Sequence, residues 1–151
     1  MEFLMDLEIE VKLAIYQMIA QNAIIPDTKA VAAKLNVPEE KVREIYQELA
    51  AKRLLVLEPG DATRIRMAPP FSGITTPFRV KIADMSYYAN CVWDAFGIAA
   101  ALNQDGIIYA SDGFTNEPLV LEVKDNQPTN SNYLAHFAIP AAQWWDDIIH
   151  T

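Results

Sequence analysis

The chain has 151 residues, of which 52% are hydrophobic and 21% are charged, so it has enough apolar side chains to fold around a core. Its formal net charge of −8 disfavours binding of nucleic acid by bulk electrostatics, because phosphates attract cationic surfaces. One cysteine excludes an internal disulfide and a multi-cysteine zinc centre. The sequence has no membrane-spanning apolar run and no secretory signal at its acidic start, so we expect a cytoplasmic protein in a reducing environment with no membrane partner.

The first domain, residues 1–70, is predicted to contain three helices followed by a β-hairpin. Apolar residues recur at three- and four-residue spacing over residues 4–19, which is typical of one buried helical face. Turn and capping residues separate two further helices, over residues 29–35 and 38–52. Two apolar stretches, 54–57 and 64–67, flank a Pro-Gly turn. This order of elements is typical of a winged helix-turn-helix domain.

A winged helix often binds DNA, but the charges of this one do not favour that partner. The third helix would be the recognition helix, and its exposed face is mixed and slightly acidic, whereas a helix that reads the major groove is usually basic. Arg64 and Arg66 in the hairpin could contact a phosphate backbone. The alternative is a structural domain with a solvated charged face, and we do not expect DNA as a partner.

The second predicted domain, residues 71–151, begins within a stretch rich in chain-breaking residues, 68–73. Apolar alternation predicts four strands, over residues 78–82, 107–110, 119–123 and 134–139. A helix is predicted from Cys91 to about Leu102 with Asn90 as its cap, and residues 141–149 predict a helix or a turn. The fold class is therefore α+β. Because the chain stops just after an apolar segment, we expect this domain to continue beyond residue 151.

Cys91 and Asp94 form the sharpest candidate site. Cys91 is expected in the first turn of a helix, where free backbone N–H groups and the helix dipole favour the thiolate. Asp94 lies three residues later on the same face. A thiolate beside a carboxyl group is a plausible binding and proton-transfer pair for a soft metal. The alternative is a buried small apolar cysteine and an aspartate that only compensates the dipole, and the spacing alone favours this alternative.

Three stretches of the second domain resemble the alkylmercury (organomercurial) lyase family. They read Pro-Phe-Arg-Val at 77–80, Tyr-Tyr-Ala-Asn-Cys-Val-Trp-Asp-Ala at 87–95, and His-Phe-Ala-Ile-Pro-Ala-Ala-Gln-Trp-Trp-Asp-Asp-Ile at 136–148. The Cys-x-x-Asp helix start is the most specific element. The resemblance runs through most of the chain. It implies a winged-helix-like N-terminal domain that does not read DNA, joined to a small mixed α/β catalytic domain.

The resemblance also implies an activity, which is cleavage of a carbon–mercury bond by protonolysis. Cys91 matches the family cysteine that takes mercury. Asp94 matches the acid that handles the proton given to the leaving carbanion. Trp93, Ser131 and Asn132 are expected to line the substrate pocket. The partner implied is a small organomercurial or another soft electrophile.

This sequence departs from the family at two further cysteine positions. The family enzymes use a second cysteine shortly before the strand that here contains His136, but residues 130–133 hold none, and Asn132 is the nearest match. Another family cysteine falls where Asp112 stands. Because mercury(II) prefers two thiolates, turnover is expected to need an external thiol or a cysteine beyond residue 151. No resident cofactor is implied.

Three functions remain open at this point. The first is an alkylmercury-lyase-like enzyme, and the second is a winged-helix regulator or a sensor of soft metals or thiols. The third is a catalytically degenerate homologue with a structural or partner-binding role. His136 is expected to be a partly buried histidine rather than a metal ligand, because no second histidine lies at ligand spacing.

Overall fold

The N-terminal part combines three helices with a small antiparallel sheet. The computed structural model describes residues 6–129 and 132–150. The elements are α1 (Leu7–Asn22), α2 (Thr28–Leu35), α3 (Glu39–Ala51), β1 (Val56–Glu58), β2 (Asp61–Ala68) and β3 (Phe71–Ser72), and the sheet order is β1-β2-β3. The three predicted helices and both hairpin strands are confirmed, although residue 4 lies outside the described residues. Assignment of this part as a winged helix stays a prediction.

Local capping and burial explain where these helices form. Asp27 accepts a hydrogen bond from the backbone N–H of Ala30 at 2.8 Å, which satisfies one of the free donors at the start of α2. The helices pack their apolar faces together, and the buried side chains include those predicted for α3, namely Val42, Ile45, Tyr46 and Leu49. Packing of these faces, rather than intrinsic propensity, stabilises helices as short as α2.

The C-terminal part is built on a five-stranded antiparallel sheet. Its elements are β4 (Arg79–Ile82), β5 (Met85–Tyr88), α4 (Val92–Leu102), β6 (Gly106–Ser111), β7 (Pro118–Lys124) and β8 (Gln127–Pro128), with sheet order β5-β4-β6-β7-β8. Helix α4 packs against β4 and β6 and buries Ile98 between them. The chain is thus a mixed α and β protein with two sheets, as the fold class predicted. No helix in residues 6–129 and 132–150 is long and apolar enough to cross a membrane.

The predicted strand over residues 134–139 is wrong. These residues are irregular and largely exposed, and a 3₁₀ helix at Ala141–Asp146 follows them. The edge of β7 that does not pair with β6 pairs with β8, so β7 offers residues 134–139 no partner. The apolar alternation arises instead because Phe137 and Ile139 face a cleft, while Leu134 is 96% exposed.

Phe71 connects the two parts of the structure. It pairs with β2 through Ala68 and bridges to Ala89, and its ring packs against Tyr16 and Tyr87 with centroid distances of 6.3 and 5.6 Å. The breaker-rich stretch therefore continues the first sheet through β3 instead of forming only a linker. The boundary between residues 70 and 71 stays a prediction.

Tyr87 offers a test of this connection. Its partly buried hydroxyl donates a hydrogen bond to the backbone oxygen of Ala20 in α1 at 2.8 Å. We expect Tyr87→Phe to lower the free energy of unfolding by about 1 kcal/mol, measured by urea denaturation. Tyr88→Phe is the matched control, because within the described residues its hydroxyl makes no hydrogen bond. Equal losses in the two variants would contradict the expectation.

Candidate functional site

An open cleft of about 920 Å³ lies where the two parts of the structure meet the C-terminal segment. One wall comes from α1 and the first sheet, and the opposite wall comes from the start of α4. The C-terminal segment completes it with residues 136–139, 144–145 and 148–150. Cys91 and Asp94 both line this cleft, so the structure brings the two predicted site residues together in one solvent-reachable space.

Cys91 occupies the N-cap position of α4. Its backbone is extended, with φ −152° and ψ −179°, and the first helical residue is Val92. The prediction that Asn90 caps this helix is therefore wrong. The sulfur is half-buried and within reach of the first backbone N–H groups of the helix.

Burial sets the protonation state of this thiol. Desolvation raises the pKa of Cys91 above its ordinary value, and the negative charge of Asp94 acts in the same direction. The backbone N–H groups of Asp94 and Trp93 lower the pKa but do not reverse the shift. The net shift of the Cys91 pKa is upward, which favours the thiol and not the predicted thiolate, because desolvation has a larger effect than the N–H groups at the start of α4. Cys91 therefore holds its proton at neutral pH until a soft electrophile displaces it.

Asp94 is held by Asn90, and burial shifts its ionisation. Asn90 Nδ2 donates to Asp94 Oδ2 at 3.0 Å and lies 3.3 Å from the backbone oxygen of Phe71. Desolvation raises the pKa of Asp94, while the hydrogen bond from Asn90 lowers it by a smaller amount. The carboxyl group therefore keeps its proton to a higher pH than an exposed aspartate, which suits a proton donor.

Removal of the Asn90 amide tests this assignment. We expect Asn90→Ala to raise the pKa of Asp94 further, because the variant removes a hydrogen bond that favours the carboxylate. Carbon-13 NMR titration of the Asp94 carboxyl carbon measures the shift directly. Asn22→Ala, at the exposed end of α1, is the control. An unchanged or lowered pKa in Asn90→Ala would show that the amide does not act on Asp94.

Sequence reasoning missed Tyr16 on the wall facing the site. Its hydroxyl donates to the backbone oxygen of Pro69 at 3.0 Å. Burial raises the pKa of Tyr16, and the charge of Asp94 adds to the effect, so the two side chains are electrostatically coupled. The available signal was a phenol within a predicted helix, and such an aromatic side chain ordinarily indicates core packing.

Aromatic side chains of the C-terminal segment cover part of the cleft. The Phe137 ring packs against Trp144 at 5.5 Å and Trp93 at 6.3 Å, and Trp144 Nε1 donates to the backbone oxygen of Ile139 at 2.9 Å. Trp145 also lines the cleft and lies under the guanidinium of Arg53, 5.8 Å from its ring centroid. These contacts give the cleft a wall suited to an apolar organic group.

Comparison with known proteins places the chain in a family. The sequence profile of the alkylmercury lyase family matches residues 71–151, which is more than half of the chain. The chain belongs to the alkylmercury lyase family. Its fold resembles the crystal structure of the mercury-bound form of MerB2, with a TM-score of 0.63 and 17% sequence identity over 80% of this chain. The chain spans 59% of the length of that structure, and no curated protein matches it.

The other site residues that the resemblance to alkylmercury lyases implies are not brought together in the cleft. Trp93 is 63% exposed and does not line the cleft, although it packs on Phe137, which does. Asn132 is exposed and lies outside the lining, and Ser131 is outside the described residues. Asp112, at another family cysteine position, accepts the backbone N–H groups of the turn between β6 and β7. A role for Trp93, Ser131 and Asn132 in binding stays a prediction.

No group of three or more potential metal ligands forms in residues 6–129 and 132–150. His136 lines the cleft as an exposed side chain. The chemistry that this part of the chain offers a soft metal is therefore the single thiol of Cys91 with the acid of Asp94 beside it.

Proposed function

We propose that this protein cleaves the carbon–mercury bond of organomercurials by protonolysis. Cys91 binds the mercury atom, and Asp94 supplies the proton to the departing carbon. The observation that carries the proposal is that both side chains line one cleft and that burial raises the pKa of Asp94. Membership of the alkylmercury lyase family supports the same assignment.

Capture at Cys91 is a thiol exchange. An organomercurial arrives in a reducing compartment as its adduct with a small thiol, R–Hg–SR′. The Cys91 sulfur forms a bond to mercury and gives up its proton. The small thiolate already bound to mercury takes that proton and leaves as R′SH. The high pKa of Cys91 does not prevent this step, because mercury is a soft ion that prefers the thiolate and displaces its proton.

Protonolysis then breaks the carbon–mercury bond. The protonated Asp94 gives its proton to the carbon, the bonding electron pair leaves mercury with that carbon, and the hydrocarbon R–H departs. Mercury(II) remains on the Cys91 sulfur, with the new carboxylate of Asp94 as its neighbouring anion. Asn90 keeps this carboxyl group in place through its 3.0 Å hydrogen bond.

Release of mercury needs sulfur from outside residues 1–151, because these residues contain one cysteine. Two molecules of R′SH bind mercury through their sulfurs and return their protons to Cys91 and Asp94. The product is Hg(SR′)₂, and no atom changes oxidation state. A reducing compartment provides these thiols, which is consistent with the predicted cytoplasmic location.

The DNA-binding alternative has less support from charge. On α3, Lys41 pairs with Glu44 at 2.8 Å and Arg43 pairs with Glu40 at 3.2 Å. The hairpin cation Arg66 is likewise paired with Glu58 at 3.2 Å. Cations already paired with carboxylates on the same surface are poor ligands for phosphate.

The test is hydrocarbon release from phenylmercury acetate in excess 2-mercaptoethanol. We expect one benzene, measured by gas chromatography, for each mercury(II) released, with many turnovers per chain. The thiol without protein provides the background. Mercury bound at Cys91 with no benzene above that background would mean that the protein captures organomercury without cleaving it.

A further inference from the structure

The cleft carries a charge opposite to that of the whole chain. The formal net charge of the protein is −8, yet the described residues that line the cleft include three cations, Lys12, Arg53 and Arg66, against the single carboxyl group of Asp94. Asp94 is the group that burial keeps protonated to higher pH. The lining of the cleft therefore carries an excess of cationic side chains, which attract small anions that the rest of the surface repels.

Lys12 and Arg53 are the cations available to a ligand. Both side chains are exposed, and neither forms an ion pair within residues 6–129 and 132–150, whereas Arg66 is paired with Glu58. Lys12 lies one helical turn before Tyr16 on α1, and both side chains line the cleft. Arg53 lies over the ring of Trp145, and its guanidinium donates no hydrogen bond to the described part of the chain, so its N–H groups can bind a carboxylate.

The proposed function requires a ligand of matching chemistry. Each turnover consumes thiols from solution, and small biological thiols built on cysteine carry carboxylates. We propose that Lys12 and Arg53 bind the carboxylate of a small anionic thiol, which supplies the second sulfur to mercury on Cys91. This inference rests on the proposed function for its biological role, but the thiol site itself can be tested without cleavage of a carbon–mercury bond.

The experiment starts from protein loaded with one inorganic mercury(II) per chain at Cys91. The loaded protein is mixed with 3-mercaptopropionate, 2-mercaptoethanol or cysteamine at equal thiolate concentration, and the rate of mercury removal is followed by the return of the free thiol. At low ionic strength we expect the anionic thiol to act about three- to tenfold faster than the neutral one, and the cationic thiol to be slowest. The net charge of the protein alone would produce the reverse order.

The matched variants locate the effect. The double variant Lys12→Gln/Arg53→Gln is expected to lose the preference for the anionic thiol, and Arg53→Lys is expected to keep it. Lys29→Gln/Lys34→Gln removes the same two charges from exposed positions on α2 outside the cleft and is expected to behave as wild type. Equal rates for the three thiols in wild type, or a preference that survives in the Lys12/Arg53 double variant, would overturn the proposal.

A second arm separates the thiol from the organomercurial as the source of the carboxylate. The rate at which Cys91 captures 4-(hydroxymercuri)benzoate is compared with the rate for phenylmercury, both in the presence of the neutral thiol 2-mercaptoethanol. A charge effect on capture alone, with none on mercury removal, would assign the cations to the organic group and reject the thiol site. Thiol selectivity without hydrocarbon release would leave this inference standing and refute the proposed function. A Cys91 that holds no mercury would refute both.

Discussion

Replacement of Cys91 by serine is expected to abolish both mercury capture and hydrocarbon release. The chain has no other thiol, and a hydroxyl oxygen is too hard a ligand to compete with solution thiols for mercury. Capture should fall from one mercury per chain to none, measured by mass spectrometry of the native protein after incubation with phenylmercury. Benzene release should fall to the rate of thiol without protein.

Met67→Leu is the control for this variant. The thioether of Met67 is another sulfur in the wall of the cleft, and it has no proton to exchange for mercury. We expect this variant to capture mercury as wild type does. Capture that persists in Cys91→Ser, or that disappears in Met67→Leu, would mean that Cys91 is not the site of capture.

Replacement of Asp94 by asparagine is expected to separate capture from cleavage. The variant keeps the thiol and the shape of the site, so one phenylmercury should still bind per chain. Because the amide has no acidic proton to donate, benzene release from that adduct should slow by about 10²- to 10⁴-fold in a single-turnover measurement. Loss of the Asp94 charge should also lower the pKa of the Cys91 thiol, since that charge raises it.

Asp112→Asn provides the matched change of a carboxyl group outside the cleft. Asp112 accepts backbone N–H groups in an exposed turn, and an asparagine oxygen can accept the same bonds. Its release rate should equal that of wild type. An Asp94→Asn protein that releases benzene at the wild-type rate would exclude Asp94 as the proton donor.

Periodicity and capping chemistry sufficed to predict most elements of this fold. The buried face of α3 and the strands β4, β6 and β7 follow from apolar spacing, because each buries one face against the same core. The same reasoning missed β5, whose four residues follow a tight turn with Ala83 at φ 50°. It also predicted a strand at residues 134–139, where the apolar side chains are exposed and the backbone is irregular.

The candidate site was predictable only where its residues are neighbours in sequence. Cys91 and Asp94 are three residues apart on one helix start, and the structure places both in the cleft. Lys12 and Tyr16 reach that cleft from α1, and Arg53 reaches it from the turn after α3. No local sequence pattern connects these residues to α4. The ionisation of Cys91 was predicted in the wrong direction because burial depends on the segment that folds over it.

The most direct test of the central claim is a single-turnover measurement on wild type. The Cys91 adduct with phenylmercury is prepared without excess thiol, and benzene release is followed as a function of pH. We expect stoichiometric release that is fastest at low pH. The rate should fall through one ionisation whose pKa is higher than that of an exposed aspartate, because burial raises the pKa of Asp94 and only its protonated form can donate. An adduct that releases no benzene, or a rate that does not change with pH, would contradict the account.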